Sequence, residues 1–547
     1  MNLMSLAQNG LSSAQAALNV VGNNLSNATT QGYSRQNIDL GEAGGRTTRY
    51  GFFGYGVQVD DVKRAYDGFV TSQVRSAAAE FQSLQSRYQQ LSEIDNMLGD
   101  DTSNISTTLN NAFVALEKMS SDPVSQAARE EVLSQFEAVA WQFKSNDNML
   151  NDLEKGTNTQ ITQSVGEVNS DSEQIATLNE KIGKIYAQTG SQPDDLLDQR
   201  DLLLNKLNDQ VGIRVNENNV TGQVDVSFVN GLPLVNGNEF YQLAATASPE
   251  NPSKTIVSYI DASGNAMRLD EDKISNGKFA GLFKFRNEDL VASRNSLNQL
   301  ALQMANKFNT VNQAGYDLDG EVGANIFNIS APVALPSQDN SSDTILNVVY
   351  TDINIVNASD YILTYKGSVD SGWDIRTADG TIITPVYTDN GEMQFDGLSV
   401  TPQGTPELYD SFLLNPVSGS AGNVSLVITN SNQIAASGSD NPDEQSNNEN
   451  IKNMIAIKNQ SAIGKATLTE AYASLVGSVG SSMMGLKANT TTTSKVCEAL
   501  ELQQQSVSGV DLNEEYMNLQ MFTQYYQANA QVLQTATTIF DTILNIR

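Results

Sequence analysis

Heptad patterns at the two ends of the chain restrict its fold more than any other feature. Near the start, Met4, Leu11, Leu18 and Leu25 fall on one helical row, and Ala7, Ala14, Val21 and Ala28 fall three residues on, which is the a/d seam of a coiled coil. Near the finish, Leu512, Leu519, Tyr526, Leu533 and Phe540 recur at every seventh position, with Phe522, Ala536 and Ile543 on the companion row. A lone helix of this length is marginal in water, and a stripe of Leu and Ala needs a facing surface before it is worth forming. Each end therefore predicts a mate, and the simplest mate is the other end.

The polar faces of these two segments are uncharged. No ionisable side chain other than Tyr occurs from Met1 to Ser34 or from Tyr516 to Phe540, and Asn, Gln, Ser and Thr occupy the outer positions. A solvated helix usually displays Glu and Lys there. An unpaired charge withdrawn from water costs several kcal/mol, so amide-rich faces suit helices packed among copies of themselves. An ordinary two-helix closure of a soluble domain satisfies the same periodicity.

A chain of 547 residues has room for about three or four domains. Its net charge of -31 and pI near 4.2 argue against nucleic acid and anionic membrane as partners. No apolar run approaches the roughly 18 residues of a membrane span, so no membrane insertion is expected, and the uncharged start lacks the basic region of a cleavable secretory signal. The lone Cys497 excludes an internal disulfide framework. The absence of histidine removes Ser-His and Cys-His nucleophilic catalysis and His-ligated zinc together. Carboxylate-pair chemistry is left, but no spacing among the 63 acidic residues singles out a pair. No enzyme activity, cofactor or metal site is expected.

Between the ends the pattern changes several times. Ser26 to Gln36 is a cluster of turn formers, and the glycines from Gly41 to Gly56 punctuate a loop and strand ending at Val62. Their order fits neither the dinucleotide fingerprint nor a P-loop. From Tyr66 to about Asn208 the spacing is helical: a long first helix through Leu84, Leu91 and Leu98, a second that Asp122-Pro123 would cap, and a third through Ile161, Val168 and Ile182. The carboxylates between Asp194 and Asp201 read as a helix start with a solvated face. Alternation and Asn-Gly turns from Val211 to Ile274 predict a small antiparallel module, after which helical spacing returns at Leu297, Leu300, Met304 and Phe308. Asp317 to Glu321 looks like a calcium loop, but Val322 and Asn328 occupy the places of its glycine and bidentate Glu, so a turn is predicted. A second β module is expected from Ala324 to about Ile434, with strands at Tyr361 to Tyr365 and Val424 to Ile428. Helix resumes through Leu468, Tyr472 and Leu486, and Asp511 with Glu514 predicts a capping box for the last helix.

The expected fold is mixed α and β and multidomain: a terminal α-helical coiled coil, an elongated helical bundle and inserted antiparallel β modules. The coiled coil joins 1–62 with 505–547, the bundle joins 63–210 with 277–316 and 444–504, and the β modules occupy 211–276 and 317–436. Such nesting keeps packing helices at one radius and insertion-tolerant modules at another.

The run Asn23, Asn24, Leu25, Ser26, Asn27, then Gly32, Tyr33, Ser34 and Arg35, continued by Gly54, Gly56, Arg64, Tyr66 and Asp67, resembles the N-terminal signature of the axial rod, hook and junction proteins of the bacterial flagellum. Ser508 to Glu515, with Gln524, Tyr526 and Asn529, resembles their C-terminal helix. The helical second layer containing Pro193 to Asp201 is similar to that of the hook-filament junction members; nothing familiar covers 324–434. This resemblance implies a structural subunit outside the cell, self-assembling through the seam residues above and meeting copies of itself, the hook protein and the second junction protein. It implies unfolded export by the flagellar type III route, with a cytoplasmic chaperone at the C-terminal region. A hook- or rod-type axial subunit, or an adhesin module on a helical stalk, are the alternatives.

Overall fold

The computed structural model describes residues 3–100, 104–228, 230–367, 372–389, 391–441 and 444–545. The chain opens with α1 (Leu3–Asn27), followed by β1 (Gln36–Glu42), β2 (Gly45–Thr48), β3 (Gly51–Gly54) and β4 (Val57–Arg64). β1 and β4 pair antiparallel from Gln36↔Arg64 to Glu42↔Val57, with a register shift at Asp39/Leu40, and β2 and β3 carry the same ribbon on to a two-stranded tip through the Ala43–Gly56 and Tyr55–Gly44 backbone bonds.

α2 (Gly68–Gly99) starts where the Asp67 carboxylate accepts the amide N–H groups of Phe69 and Val70. Beyond it lie α3 (Ile105–Ser121), α4 (Gln126–Thr189) and α5 (Asp194–Val211). Two expectations are corrected here. Asp122-Pro123 caps no helix start: Asp122 closes α3, which the sequence pattern did not reveal, and Ser125 caps α4. The expected second and third helices are one helix of 64 residues, about 96 Å long at 1.5 Å per residue. Its apolar stripe lapses between Leu153 and Ile161 because the helix passes there from one core to the next, not because it ends.

β5 (Ile213–Glu217), β6 (Val224–Phe228), β7 (Pro233–Asn236) and β8 (Glu239–Phe240) form a four-stranded antiparallel sheet in that order. β9 (Leu243–Ala247), β10 (Thr255–Ile260) and β11 (Ala266–Arg268) form a second, ordered β11-β10-β9. The turn glycines Gly231 and Gly237 have φ of 93° and 57°, which only glycine adopts without strain. Both sheets bury Phe228, Val235 and Val257 against α4 and α6 (Gly277–Lys284). A π-helical turn at Phe285–Asp289 carries α6 into α7 (Leu290–Gln313). Asp317 Oδ1 accepts the amides of Asp319 and Glu321 at 2.9 Å each, making a turn.

The outer module is a β sandwich. Its strands are β12 (Val333–Pro336), β13 (Ile345–Tyr350), β14 (Tyr361–Tyr365), β15 (Trp373–Thr377), β16 (Ile382–Ile383), β17 (Val386–Tyr387), β18 (Met393–Phe395), β19 (Leu398–Gln403) and β20 (Ser411–Asn415). The sheets run β12-β20-β14-β15-β16 and β13-β19-β18-β17, and their facing sides bury Tyr361, Trp373, Phe395 and Phe412. The expected strand from Val424 to Ile428 is not one. Leu426 makes a single bridge to Phe327, while Val424, Ile428 and Ile434 belong to the bundle core, so the return segment, including the short α8 (Ser420–Asn423), packs on helices.

α9 (Glu449–Ala456), α10 (Leu468–Ser508) and α11 (Leu512–Asn545) complete the chain. The bundle core centres on Phe113, Phe136, Phe308 and Phe327, whose rings lie 5.2–6.0 Å apart. Among the described residues no helix is long and apolar enough to cross a membrane.

Candidate functional site at the joint of the chain ends

α1 and α11 lie against each other, antiparallel: Gly10 meets Asn529, while Arg35, just beyond the end of α1, meets Glu514 at the start of α11. The buried face of α1 is made of small residues, Ala7, Gly10, Ala14 and Ala17, together with Val21. Small side chains let the backbones approach, so Met4, Leu11, Leu18 and Leu25 fall to the flank and are half-buried. α1 also packs on β1 and β4, with Asn9 Nδ2 donating to Tyr55 O at 3.0 Å and Ser13 Oγ to Val57 O at 3.3 Å. On α11, Leu519, Phe522 and Leu533 are half-buried and Ala536 is buried, whereas Leu512, Tyr526, Phe540 and Ile543 stay exposed. A single copy thus covers the seam only in part, leaving Tyr526 in its middle and Leu512, Phe540 and Ile543 at its ends exposed.

The turn after α1 is a hydrogen-bonded knot. Buried Asn24 donates to Gln36 O at 2.9 Å, and its Oδ1 accepts both the Gln36 amide at 2.9 Å and the Tyr33 hydroxyl at 2.8 Å. Asn23 reaches the Gln36 side chain at 3.1 Å, and Asn27 returns to Asn23 Oδ1 at 2.9 Å. Gly32, at φ 80°, supplies the left-handed step that returns the chain. Burial, then Asp195 and Asp198, push the Tyr33 phenol upward, so it remains a donor.

This knot holds three parts together. Toward α5, the Ser34 amide donates to Asp198 Oδ2 at 2.9 Å and Gln36 Nε2 to Asp195 Oδ1 at 3.0 Å. Toward the C-terminal end, the Arg35 amide donates to Ser508 O at 2.9 Å. The Arg35 guanidinium forks onto Glu514 at 2.7 and 2.9 Å and places Nε 2.8 Å from buried Glu515. Asp511 accepts the Asn513 and Glu514 amides, but the Glu514 carboxylate is spent on Arg35, so only the Asp511 half of the expected capping box forms.

The acidic run of α5 is not a solvated face. Asp201 lies 2.5 Å from Arg64, 3.1 Å from Arg200 and 3.3 Å from Arg75, and Arg64 is also 3.2 Å from Asp198. Burial alone would raise Asp201, but Arg200, Arg64 and Arg75 outweigh it and hold the carboxyl below its usual range. Asp198 is raised by burial despite the Ser34 amide and Arg64. The pairings of Arg75 and Glu515 are invisible in the sequence, because partners more than a hundred residues apart leave no periodic trace; those of Arg200, with Asp201 and Glu217, are close in sequence but carry no repeat, and the Arg within an acidic run was the available signal. Among the described residues no group of three or more Cys, Asp and Glu is arranged to hold a metal ion.

Four family descriptions match the chain: the flagellar hook-associated protein FlgK helical domain over residues 91–327, the flagellar hook-associated protein 1 D2-like domain over 335–416, the flagella basal body rod protein over 4–33, and the C-terminal part of the basal body rod FlgEFG protein over 503–546. Flagellar hook-associated protein 1 of Escherichia coli K12 is 39% identical over 549 residues, covering all of both chains. The chain belongs to the flagellar hook-associated protein 1 family. The Salmonella typhimurium member is also 39% identical, over 555 residues and the whole of both chains. The flagellar hook junction protein FlgK from Burkholderia pseudomallei shares the fold, with a TM-score of 0.73 at 24% identity, over 80% of this chain and all of that one. The D2-like match assigns the sandwich, for which the sequence reading had no relative, to the hook-associated proteins. The rod-type matches fall on the two ends that the knot joins.

Proposed function

We propose that this hook-associated protein is a non-catalytic structural subunit of the flagellum, placed outside the cell where hook meets filament, and that it assembles there through its paired terminal helices. The observation that carries this reading is the exposure along α11 of Tyr516, Met517, Tyr525, Phe540 and Ile543, on a helix with no charge from Tyr516 to Phe540. Large apolar side chains left exposed along a charge-free helix mark an interaction surface. Neighbouring copies, the hook protein and the second junction protein are the partners that would cover it. Before assembly a cytoplasmic chaperone would shield the same C-terminal region during export.

The test is complementation of a deletion strain. Leu18→Asp or Leu519→Asp, which sets a charge in the half-buried seam, should leave a folded, exported chain that builds no filament. Filaments equal to wild type from either variant would contradict the assignment of the seam.

A further inference from the structure

The β2–β3 tip continues the β1–β4 ribbon, through the Ala43 amide to Gly56 O at 2.9 Å and the Tyr55 amide to Gly44 O at 2.8 Å, and presents Tyr50, Phe52 and Phe53 at 75%, 62% and 55% exposure. At the tip only two strands pair, with no third strand beside them to cover the rings, and large exposed apolar side chains grouped on one element mark an interaction surface. From Ala43 to Val59 the chain carries no carboxylate, only Arg46 and Arg49, although the whole has a net charge of -31. Arg49 stacks 4.7 Å over the Tyr50 ring, and among the described residues neither arginine meets a carboxylate within 4 Å. Aromatic rings with Arg between them are the composition of an interface anchor.

The complementary surface is on the same molecule. A cleft of about 1220 Å³ opens between the knot, α2, α5 and the end of α10, larger than the roughly 300–1,000 Å³ of small-molecule pockets. Its carboxylates Asp209, Glu501 and Asp511 lack a cation within 4 Å among the described residues, whereas Arg35 and Arg75 on its wall are already paired; Lys206 stands exposed at the rim. Burial with Glu501 pushes Asp209 up to about 6, as expected where negative charge is under-compensated.

Tip and cleft lie at opposite ends of one module. The hairpin runs back along α1 from Asn24 to Asn9, and the cleft begins at Ala28. Nineteen helical residues separate those levels, about 28 Å, and β1 with β4 fills the space between. No copy can seat its own tip.

We propose that the arginine-aromatic tip is a plug whose socket is the acidic cleft of a second copy of the chain. Contact between different patches is head-to-tail, which builds rings or helices and not closed dimers. The inference rests on the assembly role proposed above and specifies one contact within it.

The test uses Phe52→Cys together with Gln505→Cys, both at exposed positions, in the full chain in cells lacking the native gene. Purified flagella are treated with a short bismaleimide. Multimers of the chain should form with the double variant, not with either single one, and adding Arg46→Glu and Arg49→Glu should cut their yield at least tenfold. The single variants control for buried Cys497. Flagella that contain the double variant yet yield no multimers, or a yield indifferent to the arginines, would overturn the plug. Absence of the chain from flagella would instead overturn the assembly role.

Discussion

A Cβ placed on Gly10 would stand 2.3 Å from the side-chain oxygen of Asn529, so a methyl group fits between the first and last helices only if the Asn529 amide turns away. Contact this close explains why Ala and Gly, not Leu, occupy the centre of the seam.

Gly10→Ala separates two effects. In a helix interior the change should gain up to about 1 kcal/mol from propensity, but here Asn529 must move and lose its 2.9 Å bond to Tyr525 O. The expected result is a drop in filament assembly that Gly10→Ala with Asn529→Ala restores, scored by motility in a deletion strain.

Arg35 bridges the knot to α11 through Glu514 and Glu515. Arg35→Met would strand buried Glu515, a loss of roughly 3–5 kcal/mol for one partner of a buried pair, and should expose the Ser508 to Asp511 link to protease. Adding Glu515→Gln should recover part of the protection, which limited proteolysis measures.

Much of this joint was unreadable in the sequence, for a definite reason. The heptads at Leu11, Leu18, Leu519 and Leu533 repeat locally, and so do the alternating strands at Val224–Phe228 and Tyr361–Tyr365, so periodicity revealed both end helices and both β modules. The pairing of Asp201 with Arg64, Arg75 and Arg200 repeats nowhere, and a helix N-terminus rich in Asp looks the same whether water or guanidinium faces it. The merging of two expected helices into α4 was hidden by the same limit: a lapse in the apolar stripe marks a change of core as readily as a loop.

Asp209 gives a pH signature. Its carboxyl, raised by burial and Glu501 to about 6, binds a proton more tightly folded than unfolded, where about 3.9 is usual. Its stabilising contribution is therefore full below about pH 4 and is lost as pH rises through about 6. Asp209→Asn should match wild type near pH 4 and exceed its stability at pH 7.5 by on the order of 1 kcal/mol, the gain being reduced by partial solvent screening. Urea melts at the two pH values check this.

Arg129 is buried with carbonyl oxygens as its acceptors: Pro123 O at 2.6 Å, Ile434 O at 2.9 Å and Asn432 O at 3.2 Å. Arg129→Met should free those carbonyls and cost roughly 1–3 kcal/mol for the hydrogen bonds of a charged donor. Hydrogen exchange should quicken at residues 431–435 and stay unchanged in the sandwich.

The most direct measurement is immunogold electron microscopy of sheared flagella with antibody against residues 333–415, the outer sandwich. A junction subunit predicts gold in one narrow band between hook and filament. Gold along the whole hook or filament, or none on flagella whose blot retains the epitope, would contradict it.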